Sequence, residues 1–413
     1  MISEQEARAK ILESVRPVAP RKMSILSGRR GDTDSSRGEQ AREQFAAEDY
    51  FARLPLPMFD NSAMDGYAVI ASNCSPRRIR PSADKQGARL RITGEQPAGV
   101  DRKLRVSNGN AVRIFTGAPI PAGADAVVMQ EDVTRSGDEI VVNTNVEVGE
   151  FVRQRGCDLG EGQKILSIGE RITAATAALL ASQGLGEVAV GGEVRAAIIS
   201  TGDELAVPGA KLQPGQIYDS NSILLQALLQ RAGAEVASIE RCSDNADSLQ
   251  KAFLSGAKNE IVIVTGGVSV GEHDLVHQTL RELGAKIEIW RVAIKPGKPF
   301  LFGRLDNAFV FGLPGNPVSA FVTFLQFVRP AILKMMGAAN LDLQKVIARL
   351  TVDLTNDGDR AHYFRGKFEN GIFAPIGRQE SHALFGLSQS NALLRLASGE
   401  NRKSNDLVEV ELW

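Results

Sequence analysis

Cysteine is scarce: Cys74, Cys157 and Cys242 are the only three in 413 residues, and no two stand in a C-x-x-C pair. That excludes a cysteine-based zinc site and a disulfide framework, and it points to a reducing compartment. Histidine is nearly as scarce, with His273, His277, His362 and His382 making four. His273 and His277 are four apart, but no H-E-x-x-H frame surrounds them, so they read as a pair on a helix face. Neither sign of charge prevails. The formal net charge is -1, which gives no bulk electrostatic case for nucleic acid or for an anionic membrane. No apolar run approaches the ~20 residues that span a bilayer, and the N-terminus has no apolar signal core. A cytoplasmic protein is the expectation, with no nucleic acid and no membrane among its partners.

The chain is rich in punctuation, with 40 Gly, 17 Pro and 43% hydrophobic residues. At 413 residues it exceeds one typical domain. The stretch Phe309 to Phe321 organises the rest. An apolar run ends in Gly312-Leu313-Pro314-Gly315-Asn316-Pro317 and a long apolar segment follows, which predicts strand, stiff turn and then helix through about Met336. Free N–H groups at such a helix start favour an anion, although a tight turn without a ligand reads equally well. Similar apolar-to-glycine passages recur. Glu260 to Thr265 runs into Gly266, Gly267 and Ser269, and Arg195 to Thr201 runs into Gly202, Asp203 and Glu204. A third passage, Trp290 to Pro299, carries Lys295 and Lys298 on a Gly/Pro loop. Loops leaving the carboxyl ends of parallel strands converge on one crevice.

In chain order, Ser3 to Glu6 is a capping box, and the helix it opens ends before Pro17. Residues 27–38 are polar and aperiodic and read as a mobile loop. Leu54 to Val69 packs Asp60, Asn61, Ser62 and Asp65 among small residues behind Pro55 and Pro57, and its plain reading is an Asx-turn network entering a strand at Tyr67. Short strands and turns continue to about Gln154. Thr173 to Ser182 is a small-residue helix closed by Gly184. Strand and helix alternate from 192 to about 337, which predicts a mostly parallel sheet covered on both faces. The chain then returns to short strands, with turns expected at Asn356 and at Glu369-Asn370-Gly371. The expected architecture is multidomain α/β plus β. Residues 1–66 and 153–191 form an N-terminal elongated domain, with residues 67–152 inserted as a small β domain. Residues 192–338 form a doubly wound, mostly parallel sheet domain, and 339–413 a C-terminal small β domain.

Six motifs in order resemble the molybdopterin molybdenumtransferase family (MoeA type, related to the gephyrin E domain). They are Asp60 to Ala68, Arg113 to Pro119, Ser200 to Leu205, Gly266 to Gly271, Ile294 to Pro299 and Gly312 to Ala320. The match extends more faintly through Arg360 to Arg365 and Gln379 to His382, while Glu43-Gln44 replaces the family's Gly-Arg. The sheet domain also resembles molybdopterin adenylyltransferases, but the signature at residues 60–68 points to the molybdenum-inserting enzyme.

The resemblance implies an elongated homodimer performing the last step of molybdenum cofactor synthesis. Adenylated molybdopterin and molybdate enter, the phosphoanhydride is hydrolysed, and AMP leaves. Mg²⁺ is the implied cofactor and molybdate a substrate. Molybdopterin adenylyltransferase and molybdoenzyme acceptors are further partners to expect. The implied catalytic residues are Asp65, Glu204, Asp274 and Lys295, with Glu204 and Asp274 as metal ligands. Thr116, Asp158, Asp244, Gly266, Gly267, Ser269, Lys298, Pro314, Gly315, Asn316, Pro317, Arg360 and Ser381 would line the substrate pocket. The lysines supply charge for oxyanions and loop amides add dipoles. The carboxylates, repulsive if bare, make sense beside a hydrated cation. A structural turn is the competing reading for Thr116, Asp158 and Asp244. A non-catalytic scaffold and an adenylyl-transfer enzyme acting on the apo-pterin are the rival functions. The family arrangement also implies that Asp65 and Glu204 of one site come from different chains.

Overall fold

The computed structural model of the chain describes residues 1–25, 43–74, 87–267 and 274–413. Ser269 and the loop expected at 27–38 lie outside the described residues. Two compact units emerge: Met1–Glu48 with Ser167–Ala181 and Leu185–Trp413, and Asp49–Leu166 with Ser182–Gly184.

The larger unit is built on a six-stranded sheet. Its strand order is Glu235–Cys242, Arg195–Thr201, Ile261–Thr265, Ala308–Leu313, Leu301–Leu305 and Lys286–Trp290. The first four strands are parallel and the last two run antiparallel to their neighbours. Ile261–Thr265 is buried at every position, as expected of a parallel strand covered on both faces. Alternation sorts the two faces: Ala196 and Ile198 join the core under the Ser220–Ala232 and Pro317–Met335 helices, and Ile199 joins the core with Leu249, Phe253, Val276 and Leu280. Asp219 caps the Ser220–Ala232 helix through the Ser222 amide at 3.0 Å, and Gly233 ends it in the left-handed region at φ 95°.

The helix after Pro317 runs through Met335 but widens into a π turn at Phe324–Val328, just before Arg329–Met335. Pro330 supplies the reason, since it cannot donate into the preceding turn and its ring crowds it. By length and composition Pro317–Met335 could cross a membrane, contrary to the expectation that no run comes close, yet most of it is buried inside the protein. An all-round apolar helix in that setting is a core helix.

Val292–Lys295 departs from expectation. It does not join the parallel sheet; it pairs with Ile2–Ser3 on one side and with Ala361–Glu369 on the other. Ala361–Glu369, Ile372–Pro375, Gln344–Leu350, Leu407–Leu412 and Ala392–Leu396 pair in succession, and the last pairs back onto the first. This closed β domain leaves its five-strand ring without an open edge. Asn370 and Gly371, at φ 52° and 76°, make its two-residue hairpin. Asn356 makes no hairpin: it is buried, and its Nδ2 donates to the carbonyls of Arg360, Leu396 and Ala397.

The smaller unit holds a second six-stranded sheet, ordered Ala126–Met129, Gly66–Val69, Asn110–Ile114, Ala88–Gln96, Glu139–Val142 and Val133–Ser136. Gly66 is needed where it stands, because a Cβ there would lie 1.9 Å from the Val128 carbonyl oxygen.

Candidate active site

Register brings the glycine-rich loops of the larger unit to one end of its sheet. Thr201 lies opposite Cys242, Ser200 opposite Thr265, and Thr265 opposite Leu313. The loops at 202–204, 243–244, 266–267 and 314–316 therefore leave the same edge, where ligands of open α/β sheets bind.

Close packing joins these loops. Gly266 has φ +87° and its missing Cβ would stand 2.1 Å from the Thr201 carbonyl oxygen, so no other residue fits. Gly315 approaches Gly266 to 3.7 Å, measured from where its own Cβ would be. Asn221 ties the loops together, donating from Nδ2 to Thr265 Oγ1 at 2.9 Å and to the Gly315 carbonyl at 2.7 Å. On the other flank the Thr201 hydroxyl donates to Asp244 Oδ1, and the Asp244 amide donates to Asp203 Oδ1 at 3.2 Å. Asp203, Glu204 and Asp244 are exposed at this edge.

The turn at 314–317 offers fewer amides than expected. Pro314 and Pro317 have no N–H, and the Val318 amide donates to the Ser381 carbonyl at 3.1 Å. Asn316 stands at the helix N-cap without capping it; its Nδ2 donates to Ser381 Oγ at 2.8 Å. Ser381, far away in sequence, is thus delivered to this loop.

Asp274 is 5% exposed and caps the Leu275–Glu282 helix, its Oδ1 accepting from the His277 amide at 2.9 Å. Beyond it, burial lowers the pKa of His277, whose ring stacks on Trp290 with centroids 4.1 Å apart. Among the described residues, no group of three or more His, Cys, Asp and Glu side chains gathers into a metal site. Mg²⁺ does not need one, since it keeps several waters and takes one or two carboxylates with substrate phosphates. Exposed Glu204 fits that requirement; Asp274 fits it less fully, with one oxygen engaged at the helix start.

The lysine loop packs on the first turns of the helix that starts at Pro317, 3.7 Å from the Ser319 carbonyl as measured from where a Gly297 Cβ would be. A Cβ at Gly297, φ +120°, would meet Thr323 Cγ2 at 2.5 Å, so the loop packs on the long helix. Lys295 lies opposite His362 in the strand register, and Arg360 Nη1 donates to the Ile294 carbonyl at 3.3 Å. Lys298 follows on the same loop, its carbonyl accepting from the Val292 amide at 3.2 Å. His362 is buried against Phe364, and its pKa falls to about 4, first through burial and then through Lys295, Arg360 and Arg365. An uncharged imidazole among three cations is the physical outcome.

In the smaller unit Asp65 and Thr116 are brought together. Asp65 Oδ1 accepts from the Thr116 amide at 2.7 Å and from its hydroxyl at 2.8 Å. These two bonds hold the carboxyl below its usual range, with a smaller contribution from Arg113. Asp158 is exposed on the neighbouring return, its amide donating to the Leu56 carbonyl at 3.0 Å.

Sequence reasoning passed over Asp203, Asn221, His362, Arg365 and Gln379 as site residues. Asn221 had a visible signal: Asp219-Ser220-Asn221-Ser222 is the polar cluster that opens a helix at the crevice edge.

Comparison with known proteins covers nearly the whole chain. Residues 2–184 match the MoeA N-terminal region (domain I and II), 197–334 a probable molybdopterin binding domain, and 347–413 the MoeA C-terminal region (domain IV). The chain is 36% identical over 388 residues to a molybdopterin molybdenumtransferase of Haemophilus influenzae, covering 90% of this chain and 92% of that one. It is 39% identical over 371 residues to one of Nostoc, covering 87% and 84%. A crystal structure of a molybdopterin biosynthesis moeA protein from Pyrococcus horikoshii superposes over 100% of both chains with a TM-score of 0.81 at 29% identity.

Proposed function

The chain belongs to the molybdopterin molybdenumtransferase family of the MoeA type, and from that premise we propose that it inserts molybdenum from molybdate into adenylated molybdopterin with release of AMP. It is a transferase of molybdenum cofactor biosynthesis. The observation that carries the finer reading is the row of loops at the sheet's carboxyl edge, with Asn221 binding Thr265 to Gly315 and Asn316 binding Ser381.

The substrates are anions, and the proposed roles follow from that. Lys295 and Lys298 offset the charge of the phosphoanhydride and of molybdate. Arg360 and Ser381 hold molybdate, with Gly266, Gly267, Ser269, Pro314, Gly315, Asn316 and Pro317 shaping the pocket. Glu204 and Asp274 hold Mg²⁺, which when bound lowers the repulsion that protects the phosphoanhydride from water. Asp65, kept ionised by Thr116, and the carboxylates of Asp158 and Asp244 position water and the pterin end. The working form is a homodimer in the cytoplasm; unpaired Cys74, Cys157 and Cys242 support a reducing compartment. Molybdopterin adenylyltransferase and acceptor molybdoenzymes remain partners under this proposal. So does the division at 1–66 with 153–191, 67–152, 192–338 and 339–413.

The deciding experiment incubates the protein with adenylated molybdopterin and Mg²⁺, with and without molybdate, and measures AMP. Molybdate-dependent AMP release is expected. Adenylation of molybdopterin from ATP, with no response to molybdate, would overturn the reading.

A further inference from the structure

Residues 378–381 are gripped from two sides. From the β domain, Arg365 Nη2 donates to the Arg378 carbonyl and, at 3.3 Å, to the Glu380 carbonyl. The Arg365 amide donates to Gln379 Oε1 at 3.0 Å, and Gln379 Nε2 donates back to the Arg365 carbonyl at 3.0 Å and to the Ile376 carbonyl at 3.1 Å. From the sheet, Asn316 Nδ2 reaches Ser381 Oγ at 2.8 Å and the Val318 amide reaches the Ser381 carbonyl at 3.1 Å.

Arg365 is an expensive residue for this place. It is 0% exposed, its Nε and Nη1 are buried without a hydrogen-bond partner, and no ion pair to it forms among the described residues. Glu380 is near enough to favour its charge without pairing with it, and a buried cation so weakly compensated is seldom a source of stability; an apolar residue of its volume often serves as well. What an apolar residue cannot do is hold two carbonyls of one loop with a planar, fixed donor group. Gln379 does the complementary work: its side-chain amide accepts from the Arg365 N–H and shares the Arg365 carbonyl with the Ile376 amide.

We propose that Arg365 and Gln379 are positioning residues of the molybdenum-transfer site, holding the 378–381 loop so that the Ser381 hydroxyl meets Asn316 at the mouth of the crevice. They touch no substrate and act only through Ser381. This rests on the reading that Ser381 belongs to the substrate pocket.

The test uses the full-length enzyme, with Gln379→Ala as the mild variant, Arg365→Lys as the charge-keeping one, and Ser381→Ala as reference. Ser381→Ala should raise the molybdate KM for AMP release, and each positioning variant should raise it about tenfold with kcat within about twofold. In the doubles with Ser381→Ala the positioning changes should add nothing, since residues acting through one group are coupled. Hydrogen exchange at the Val318 amide should quicken in Gln379→Ala. Additive effects in the doubles, or unchanged KM in a folded Gln379→Ala enzyme, would overturn the proposal. If Ser381→Ala itself leaves KM unmoved, the pocket reading has failed and takes the functional proposal with it. Val318 exchange separates the two failures: faster when only the pocket reading is wrong, unchanged when the grip on the loop is absent.

Discussion

His362 shows how much a single side chain can be set by neighbours that the sequence does not place beside it. Its sequence context is a short apolar strand, Ala361 to Phe364, flanked by Arg360 and Arg365. To the two arginines the fold adds burial and Lys295 across the register, and the imidazole pKa drops to about 4. In an unfolded chain it returns to about 6.5. Between those values the unfolded state binds a proton that the folded state refuses, so stability rises with pH in that window. His362 thus contributes stability fully above about pH 6.5, and the contribution is lost as pH falls toward 4, by up to ~3 kcal/mol. Asp65 acts in the same direction, since its carboxyl is held low by Thr116. The His362→Phe variant keeps an aromatic ring against Phe364 and removes the titration. Its Tm should fall less than the wild-type Tm between pH 7 and pH 5. Parallel losses in the two proteins would show that His362 is not the group responsible.

Among the elements, Asp274 carries two readings that substitution can separate. It is a metal and hydrolysis residue in the proposed mechanism, and it is the N-cap of the Leu275–Glu282 helix. Removing the cap with Asp274→Ala should cost about 1 kcal/mol. Asp274→Asn keeps a good cap and loses the charge. Under the proposed role it should melt near the wild-type temperature while AMP release drops by about two orders of magnitude or more. Near-normal AMP release by Asp274→Asn would reduce Asp274 to a helix cap. The cap was legible in principle, since Asp274 precedes the apolar stripe Leu275, Val276, Thr279 and Leu280, but the family motif drew attention to chemistry instead. The parallel strands and their loop ends at Thr201, Thr265 and Leu313 could be read directly, because continuous apolar runs ending in glycine have few other solutions. Val292–Lys295 could not be assigned to its sheet. An alternating pattern tells a strand which face is buried but not which partner it will join, and this one pairs with residues 2–3 and 361–362. Asn356 misled for a related reason: Asn-Asp-Gly announces a turn, and only the fold reveals three carbonyls waiting for its amide.

For the molecule as a whole, the decisive question is how many chains make one site. The family resemblance pairs Asp65 of one subunit with Glu204 of another, and no amount of pattern reading within one chain can test that. The expectation is that Asp65→Asn and Glu204→Ala homodimers are each inactive, because every site in either carries a defect. Mixed and allowed to exchange, they form heterodimers in which one site receives both defects and the other neither, as the symmetry of a two-fold interface requires. Random pairing makes about half of the dimers mixed, so roughly a quarter of all sites should regain every residue. If both residues came from the same chain, each site of the mixed dimer would keep one defect and activity would stay near zero. Molybdate-dependent AMP release is measured after exchange, with subunit mixing followed independently by a mass difference between the two variants. Recovery toward a quarter of wild-type activity is the expected result, and complete exchange with no recovery would rule out the shared site.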